Sequence, residues 1–463
     1  MRERILKYEK SYQNETVAAD LNNMLPGMFI EQIAAIFLEN INVFVMGFIS
    51  TAAIAGVGQI NTVNGVLMNI FQAFAIGGTV IVGQHAGAKR NRNGAEAAYA
   101  ALLLGCAVSV LLTAAIFLLR EQIVLLLFGE ADEEVIENSM AYFKFTALSP
   151  PLWFLYFQCC GFMRSAGDTR RPMFISIILN VASMIMNLVF SLGLHMGVTG
   201  AALSYLFSVA IAAALALAMV MRKGFSMRPR RIAGVSAAVT IRQISAIGFP
   251  SSAENLMFNG SKIIIQVFLA GMGQAMISAN SIFNSVNGIF NVPVMALYAL
   301  TVPVVSRCAG GAGTKGSRKV RNALDYISRR CVVWSVPVTF AHLCLGIPGA
   351  LLFTRDWNVV CITAGMLAIY GVVVLIQNGS YILPNGFKAV GDARFAMVVS
   401  SVTAWAVRVF GTWFLGIYLG WGAYAVAVTQ ALDIALRAVI YQRRFKSGTW
   451  LRYMFEREEK IAC

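Results

Sequence analysis

The chain has 463 residues, of which 58% are hydrophobic and only 13% charged, with a mean hydropathy of +0.68. A soluble domain carries about a quarter charged residues, so an ordinary soluble enzyme is excluded. The 37 Lys and Arg against 22 Asp and Glu leave a net charge of +15, which in a cytosolic protein points to nucleic acid unless the basic residues collect on one side of a membrane.

In chain order, the first twenty residues mix Arg2, Glu3, Arg4, Lys7, Glu9, Lys10 and Asp20, with no apolar core or cleavage site of a secretory signal. Twelve apolar segments follow, at 24–48, 54–84, 95–119, 138–160, 172–194, 199–221, 243–270, 276–305, 327–350, 361–384, 396–418 and 421–442. Each is an Ala, Leu, Ile, Val, Met and Phe run of the length that crosses a bilayer as a helix, without the alternation of a barrel strand. The expected fold is therefore all-α and integral to a membrane, with twelve transmembrane helices. The acidic run Glu130, Asp132, Glu133, Glu134 and Glu137 reads as a solvated loop between the third and fourth segments.

Sorting Lys and Arg by alternating sides puts 31 with the N-terminus, leaves only Arg120 and Arg355 opposite, and places four within or at the ends of segments. That asymmetry predicts both termini in the cytoplasm. The eight cysteines form no CxxC pair or metal spacing and read as packing residues. His85, His195 and His342 are dispersed and read as packed or interfacial side chains.

The chain repeats itself at half its length. Arg164-Ser165-Ala166-Gly167-Asp168-Thr169-Arg170 matches Lys388-Ala389-Val390-Gly391-Asp392-Ala393-Arg394 at an offset of 224, and Leu25-Pro26 matches Phe249-Pro250 at the same offset. Asn61-Thr62-Val63-Asn64-Gly65 matches Asn284-Ser285-Val286-Asn287-Gly288 at 223. Each copy holds six segments, an even number, so the copies insert in the same orientation as parallel repeats. The expected organisation is an N-terminal lobe over 1–224, a basic cytoplasmic linker over 225–242, a C-terminal lobe over 243–446 and a cytoplasmic tail over 447–463. The two lobes are expected to be pseudo-symmetric, with six helices each.

Pro26, the run Gly83-Gln84-His85-Ala86-Gly87-Ala88, Met163 to Arg170, Met196-Gly197-Val198-Thr199-Gly200-Ala201-Ala202 and their second-half versions at Ala279-Asn280 and Gly391-Asp392 resemble the MATE (multidrug and toxic-compound extrusion) transporters over roughly residues 15 to 446. The resemblance implies two six-helix lobes around a central cavity. It also implies export of organic, often cationic compounds in exchange for sodium ions or protons, with no other cofactor. The family's cation site uses an acid in the first helix five residues before a glycine; counting back from Gly47, that position here is Asn42. An asparagine neither releases a proton nor supplies negative charge, so coupling is expected at Glu31, Glu39 or Glu254, with Asn42 beside them.

An ionisable group inside a membrane helix needs a partner, a wet cavity or a task. Asn42 lies about 20° and Glu39 about 80° from Glu31 around the first helix. Glu31 and Glu254 follow the paired prolines, and Glu39 matches Lys262 at offset 223, an ion pair that would be a gate or a lock. Asp433 and Arg437 are spaced to pair along one helix.

Asn280, Asn284, Asn287 and Asn291 recur within about 60° on the eighth segment. The second segment carries the counterparts Asn61, Asn64 and Gln72. Buried amides need protein or water, so the stripes are either interhelical glue or the cavity wall, which their symmetric placement favours. Trp153, Tyr156, Tyr370, Gln377 and Tyr381 complete a pocket for flat cations, and Lys262 is a further cavity candidate. Asp168 and Asp392 are expected to cap the helices after them and to pair with Arg170 or Arg394.

The expected function is secondary antiport of drug-like or cationic small molecules by a monomer in the bacterial cytoplasmic membrane, in contact with the lipid bilayer and without nucleic acid. A flippase for a lipid-linked precursor is the alternative. An intramembrane magnesium-dependent enzyme is excluded, since no two aspartates lie within twenty residues of each other.

Overall fold

The computed structural model describes residues 15–46, 51–128, 132–231, 237–310 and 313–454, and all regular structure among them is helical. The first repeat comprises α1 (Glu15–Met46), α2 (Thr51–Gly87), α3 (Asn91–Leu118), α4 (Arg120–Phe128), α5 (Glu133–Thr146), α6 (Pro150–Ser165), α7 (Arg170–Asn187) and α8 (Gly197–Met221). The second comprises α9 (Ala237–Met272), α10 (Gln274–Ala309), α11 (Gly313–Cys344), α12 (Gly346–Leu351), α13 (Trp357–Val374), α14 (Gln377–Val390), α15 (Ala393–Thr403), α16 (Phe410–Thr412) and α17 (Ala423–Ser447). Eight of the described helices are long and apolar enough to span a bilayer, counting α15 with α16 and the π-turns around it as one. The other apolar segments are helical where described: the first in α1, the seventh in α9, the fourth divided between α5 and α6 and the ninth between α11 and α12.

The divisions have local causes. The fourth segment breaks between α5 and α6 ahead of Pro150 and Pro151, because a proline fits the first turn of a helix but lacks the N–H that an interior position must donate. The fifth and eleventh segments each end in a π-turn, Leu188–Gly193 and Trp413–Tyr418, 225 residues apart. A second π-turn, Ala404–Val409, lies in the eleventh segment and carries Arg408. In the first repeat the equivalent stretch is ordinary α-helix within α7.

The chain divides into two compact units. The first is Ile30–Val82 with Arg90–Asn259; the second is the described part of Met1–Phe29 with Gly83–Lys89 and Gly260–Cys463. Helices α1, α2 and α9 therefore each contribute to both. In the first unit, α8 packs on α5, α6 and α7 through a buried row of small residues, Ala201, Ala202, Ser204, Ser208, Ala212 and Ala216, which lets backbones approach closely where lipid offers no hydrophobic drive. In the second unit, α10 packs on α11, α13 and α14, and α17 on α13 and α14. Its core runs from Leu21 and Met24 of α1 through Phe283, Leu297 and Tyr370 to Tyr441 and Trp450. Large apolar side chains such as Leu111, Leu118, Val267 and Phe340 stay exposed, as a lipid-facing surface requires.

Gly167 and Gly391, equivalent in the two copies, have φ of 90° and 109°, the left-handed region that a side chain resists. The aspartates after them diverge. Asp168 Oδ1 accepts from the backbone N–H of Arg170 and Arg171, and Oδ2 pairs with the Arg171 side chain at 3.1 Å. Asp392 pairs instead with Arg444 of α17, 2.7 Å away, so the expected side-chain partners Arg170 and Arg394 give way to Arg171 and Arg444. Burial pushes the Asp392 carboxyl above the usual carboxylate range, and the Arg444 guanidinium pulls it partly back.

Candidate functional site

In the first unit, Glu31 on α1 forms an ion pair with Arg164 at the end of α6. Both groups are largely shielded, so each stabilises a charge that would otherwise be costly to bury. Tyr156, one of the pocket aromatics, lies within electrostatic reach of the pair. Trp153 donates to Tyr205 Oη at 2.8 Å, stacks on Phe157 and meets Tyr156 edge-on. Both Trp153 and Tyr156 are buried within this aromatic cluster.

The amides of α2 separate by role. Asn61 Oδ1 accepts from Tyr142 at 3.0 Å. Gln72 is exposed. Asn64 is buried, and neither its amide nitrogen nor its oxygen meets a hydrogen-bond partner among the described residues, a state that costs about 1–3 kcal/mol unless water or a bound group completes it. Glu254 sits half-buried on the part of α9 that belongs to the same unit. Glu39 and Asn42 lie outside the residues whose side chains are described, and with them the expected pairing of Glu39 with Lys262. Lys262 is exposed on α9.

The second unit contains a continuous polar chain. Asn291 Nδ2 donates to Asn287 Oδ1 at 2.6 Å, Gln377 Nε2 donates to Asn291 Oδ1 at 3.0 Å, and the Tyr370 hydroxyl donates to Gln377 Oε1 at 3.2 Å. The stripe seen on α10 thus puts Asn287 and Asn291 into one network. Asn280 instead donates to Gln266 at 3.3 Å, and Asn284, at the stripe's edge, is exposed. Tyr381 stacks on Tyr298 with 4.9 Å between centroids. Gln430, Arg408 and Arg437 also lie within reach of Tyr370. Arg437 pairs with Asp433, as their spacing predicts, and donates to Ser400 Oγ at 3.2 Å.

Reading the residues in order missed two participants. Arg164 reads as a topological charge, because nothing in the spacing shows that it folds back onto Glu31. His342, read as a packed side chain, bonds Asn287 at 2.9 Å. The one signal for it was an ionisable group in an apolar segment. No cluster of His, Cys, Asp and Glu suited to a metal occurs among the described residues.

The MatE family model matches residues 27–189 and 250–414. Its two matches begin 223 residues apart, which is the offset of the internal repeat. Relatives include an uncharacterized transporter, YisQ, of Bacillus subtilis, 22% identical over 92% of this chain and 93% of the relative. A probable multidrug resistance protein, NorM, of Thermotoga maritima is 22% identical over 90% and 89%. The multidrug export protein MepA of Staphylococcus saprophyticus is 24% identical over 86% of each chain. Among solved structures, an outward-facing multidrug resistance MATE transporter superposes with a TM-score of 0.85 at 15% identity, covering 93% of this chain and 96% of that one. A MOP superfamily transporter from Pyrococcus furiosus gives 0.84 at 14%, covering 92% and 96%. With twelve membrane helices in two six-helix lobes and a family match over both repeats, the chain belongs to the MatE family of multidrug and toxic-compound extrusion transporters and is not an enzyme.

Proposed function

We propose that this transporter is a secondary antiporter that exports drug-like, often cationic organic compounds in exchange for sodium ions or protons. It works as a monomer in the bacterial cytoplasmic membrane, with both termini in the cytoplasm. The observation that carries the reading is the pair of carboxylates Glu31 and Glu254, which follow equivalent prolines in α1 and α9, Glu31 beside Arg164; ionisable groups within membrane helices mark ion pathways. Glu31 and Glu254, with Glu39 and Asn42, are the coupling candidates. The amides Asn61, Asn64, Gln72, Asn280, Asn284, Asn287, Asn291 and Gln377, with Trp153, Tyr156, Tyr370, Tyr381 and Lys262, are the substrate candidates. The 31-to-2 asymmetry of basic residues supports the orientation. The relatives' names, multidrug resistance and multidrug export, favour this reading over a lipid-linked-precursor flippase. So does the Asp433 carboxylate beside Arg437, since a pyrophosphate carrier needs a more strongly cationic site.

The test is ethidium efflux from vesicles under imposed sodium or proton gradients. Wild type is expected to respond to one gradient, and Glu254→Gln or Glu31→Gln to lose about tenfold or more of that response. Efflux driven by neither gradient, or full coupling in Glu31→Gln, Glu39→Gln and Glu254→Gln alike, overturns the proposal.

A further inference from the structure

His342 is fully buried near the end of α11. Its Nδ1 lies 2.8 Å from the Val338 carbonyl oxygen and its Nε2 lies 2.9 Å from Asn287 Oδ1. Both neighbours are acceptors, while a neutral imidazole carries only one N–H. Whichever nitrogen holds that hydrogen, the other points a lone pair at an oxygen. Only the imidazolium donates to both.

The Val338 oxygen belongs to the backbone of the same helix, four residues back, and cannot turn away. The Asn287 amide can rotate, but its Oδ1 also accepts from Asn291 Nδ2. Turning Asn287 alone would set two NH₂ groups against each other. Asn291 must then turn, and with it Gln377, because each amide accepts from the next. Yet Asn291 Nδ2 also donates to the Asn287 backbone carbonyl oxygen at 3.0 Å, which cannot turn, so a reversed Asn291 would set its Oδ1 against that oxygen and the amides keep one direction. With His342 charged, Tyr370 donates to Gln377, Gln377 to Asn291 and Asn291 to Asn287, as observed. With His342 neutral and its hydrogen on Nδ1, Nε2 faces Asn287 Oδ1 lone pair to lone pair at 2.9 Å, a contact that binding a proton turns into a hydrogen bond.

We propose that His342 is a proton-binding site of the second unit. One proton from water binds at Nε2, and the resulting imidazolium donates to the Val338 oxygen and to Asn287 Oδ1 at the head of the Asn287, Asn291, Gln377 and Tyr370 hydrogen bonds. The groups around the ring make it the titrating member. Asn287 and Phe290 approach from α10, and Tyr370 approaches from α13 with 5.8 Å between ring centroids. The short α12 carries no ionisable residue, and the α14 residue in the chain of amides, Gln377, is neutral. On α11 itself, the nearest charged residue in sequence is Arg330, twelve residues back and about 18 Å along the helix. Beyond Tyr370 stand Arg408, Arg437 and Asp433. The amide chain thus joins the proton site to the charged cluster on the π-turn and α17.

Only the use of this proton in exchange rests on the antiport reading; the site itself does not. The chain has three histidines, so ring NMR signals of the ¹⁵N-histidine-labelled full chain in detergent are assigned by their loss in His342→Gln. The His342 ring is expected to change charge state between about pH 5 and 8. Asn287→Asp is expected to move that midpoint up by about one unit and Asn287→Leu to move it down, because one strengthens and the other removes the acceptor facing the charged ring. The His195 signal reports whether each variant is folded. A ring that keeps one charge state throughout, or a midpoint indifferent to both substitutions, overturns the proton site. In vesicles, His342→Gln is expected to slow ethidium efflux driven by a pH gradient about tenfold, and unchanged efflux overturns its part in exchange. Wild-type vesicles that expel ethidium under neither gradient sink the antiport reading, while the NMR titration still decides the proton site.

Discussion

Arg444 illustrates how a single side chain holds a loop to a helix. It reaches back from α17 to Asp392 with its Nε and Nη2 atoms at 2.8 and 2.7 Å, and its guanidinium lies over the Phe395 ring at 3.9 Å. The Asp392 side chain is fully buried, so its charge depends on that partner. Arg444→Met should cost about 2–4 kcal/mol at neutral pH, somewhat below a fully buried pair because Arg444 is partly exposed. The sign with pH follows from the direction of the shift. Asp392 is already held above the usual carboxylate range, and removing Arg444 raises it further. The penalty is then present above that raised value and fades as pH falls through it. Thermal unfolding in detergent should show a larger deficit at pH 8 than at mildly acid pH; an equal deficit at both contradicts the account. Aspartate after glycine at residues 168 and 392 was readable as a pair of helix-start residues, but the partner of Asp392 was not. Arg444 lies 52 residues away, and no local rule connects the two.

At the scale of elements, the repeat becomes a close helix crossing. A Cβ on Gly87 of α2 would lie 1.8 Å from the Arg307 carbonyl oxygen, and one on Gly310, just after α10, would lie 2.0 Å from the Gln84 carbonyl oxygen. Gly87 is equivalent to Gly310 and Gln84 to Arg307 at offset 223, so each copy's glycine receives the other copy's backbone. Asp20 of α1 pairs with Arg307 at this point, and Gln84 Nε2 donates to the Ala389 carbonyl oxygen at 2.9 Å. A backbone atom cannot swing aside, so Gly310→Ala should lose about 1–3 kcal/mol through overpacking. On the same helix, Gly288 has nothing within 4 Å of its added Cβ, and Gly288→Ala should gain up to about 1 kcal/mol in helix propensity. Opposite shifts of the melting temperature are the expected result, and equal shifts would refute the crossing. Helical periodicity also placed Asn287 and Asn291 on one face correctly. It gave no reason to separate them from Asn284 at the edge of the same stripe, because that depends on where α11 and α14 lie.

For the whole molecule, the twelve apolar segments, the six-plus-six repeat and the sorting of charge follow from the bilayer as solvent. Cysteines introduced at 92, 230 and 446 should be labelled by an impermeant thiol reagent only in inverted vesicles, and one at 355 only in intact cells, in a background lacking the natural cysteines. Labelling of both groups from one side would overturn the expected orientation. Composition and periodicity determined the class of protein by themselves, because the cost of placing charge or unpaired backbone in hydrocarbon is paid residue by residue along the chain. Contacts between distant segments were decided only in three dimensions. They include Arg164 on Glu31, Arg444 on Asp392, and His342 at the head of an amide chain drawn from α10, α13 and α14. The tertiary structure also decided that the start of α1 packs with the second repeat while the start of α9 packs with the first. Hydrophobicity assigns a helix to the membrane but is nearly the same on every face that meets lipid or another apolar helix. Which polar groups meet inside is set by close packing and hydrogen-bond geometry, and those exist only once the helices are assembled.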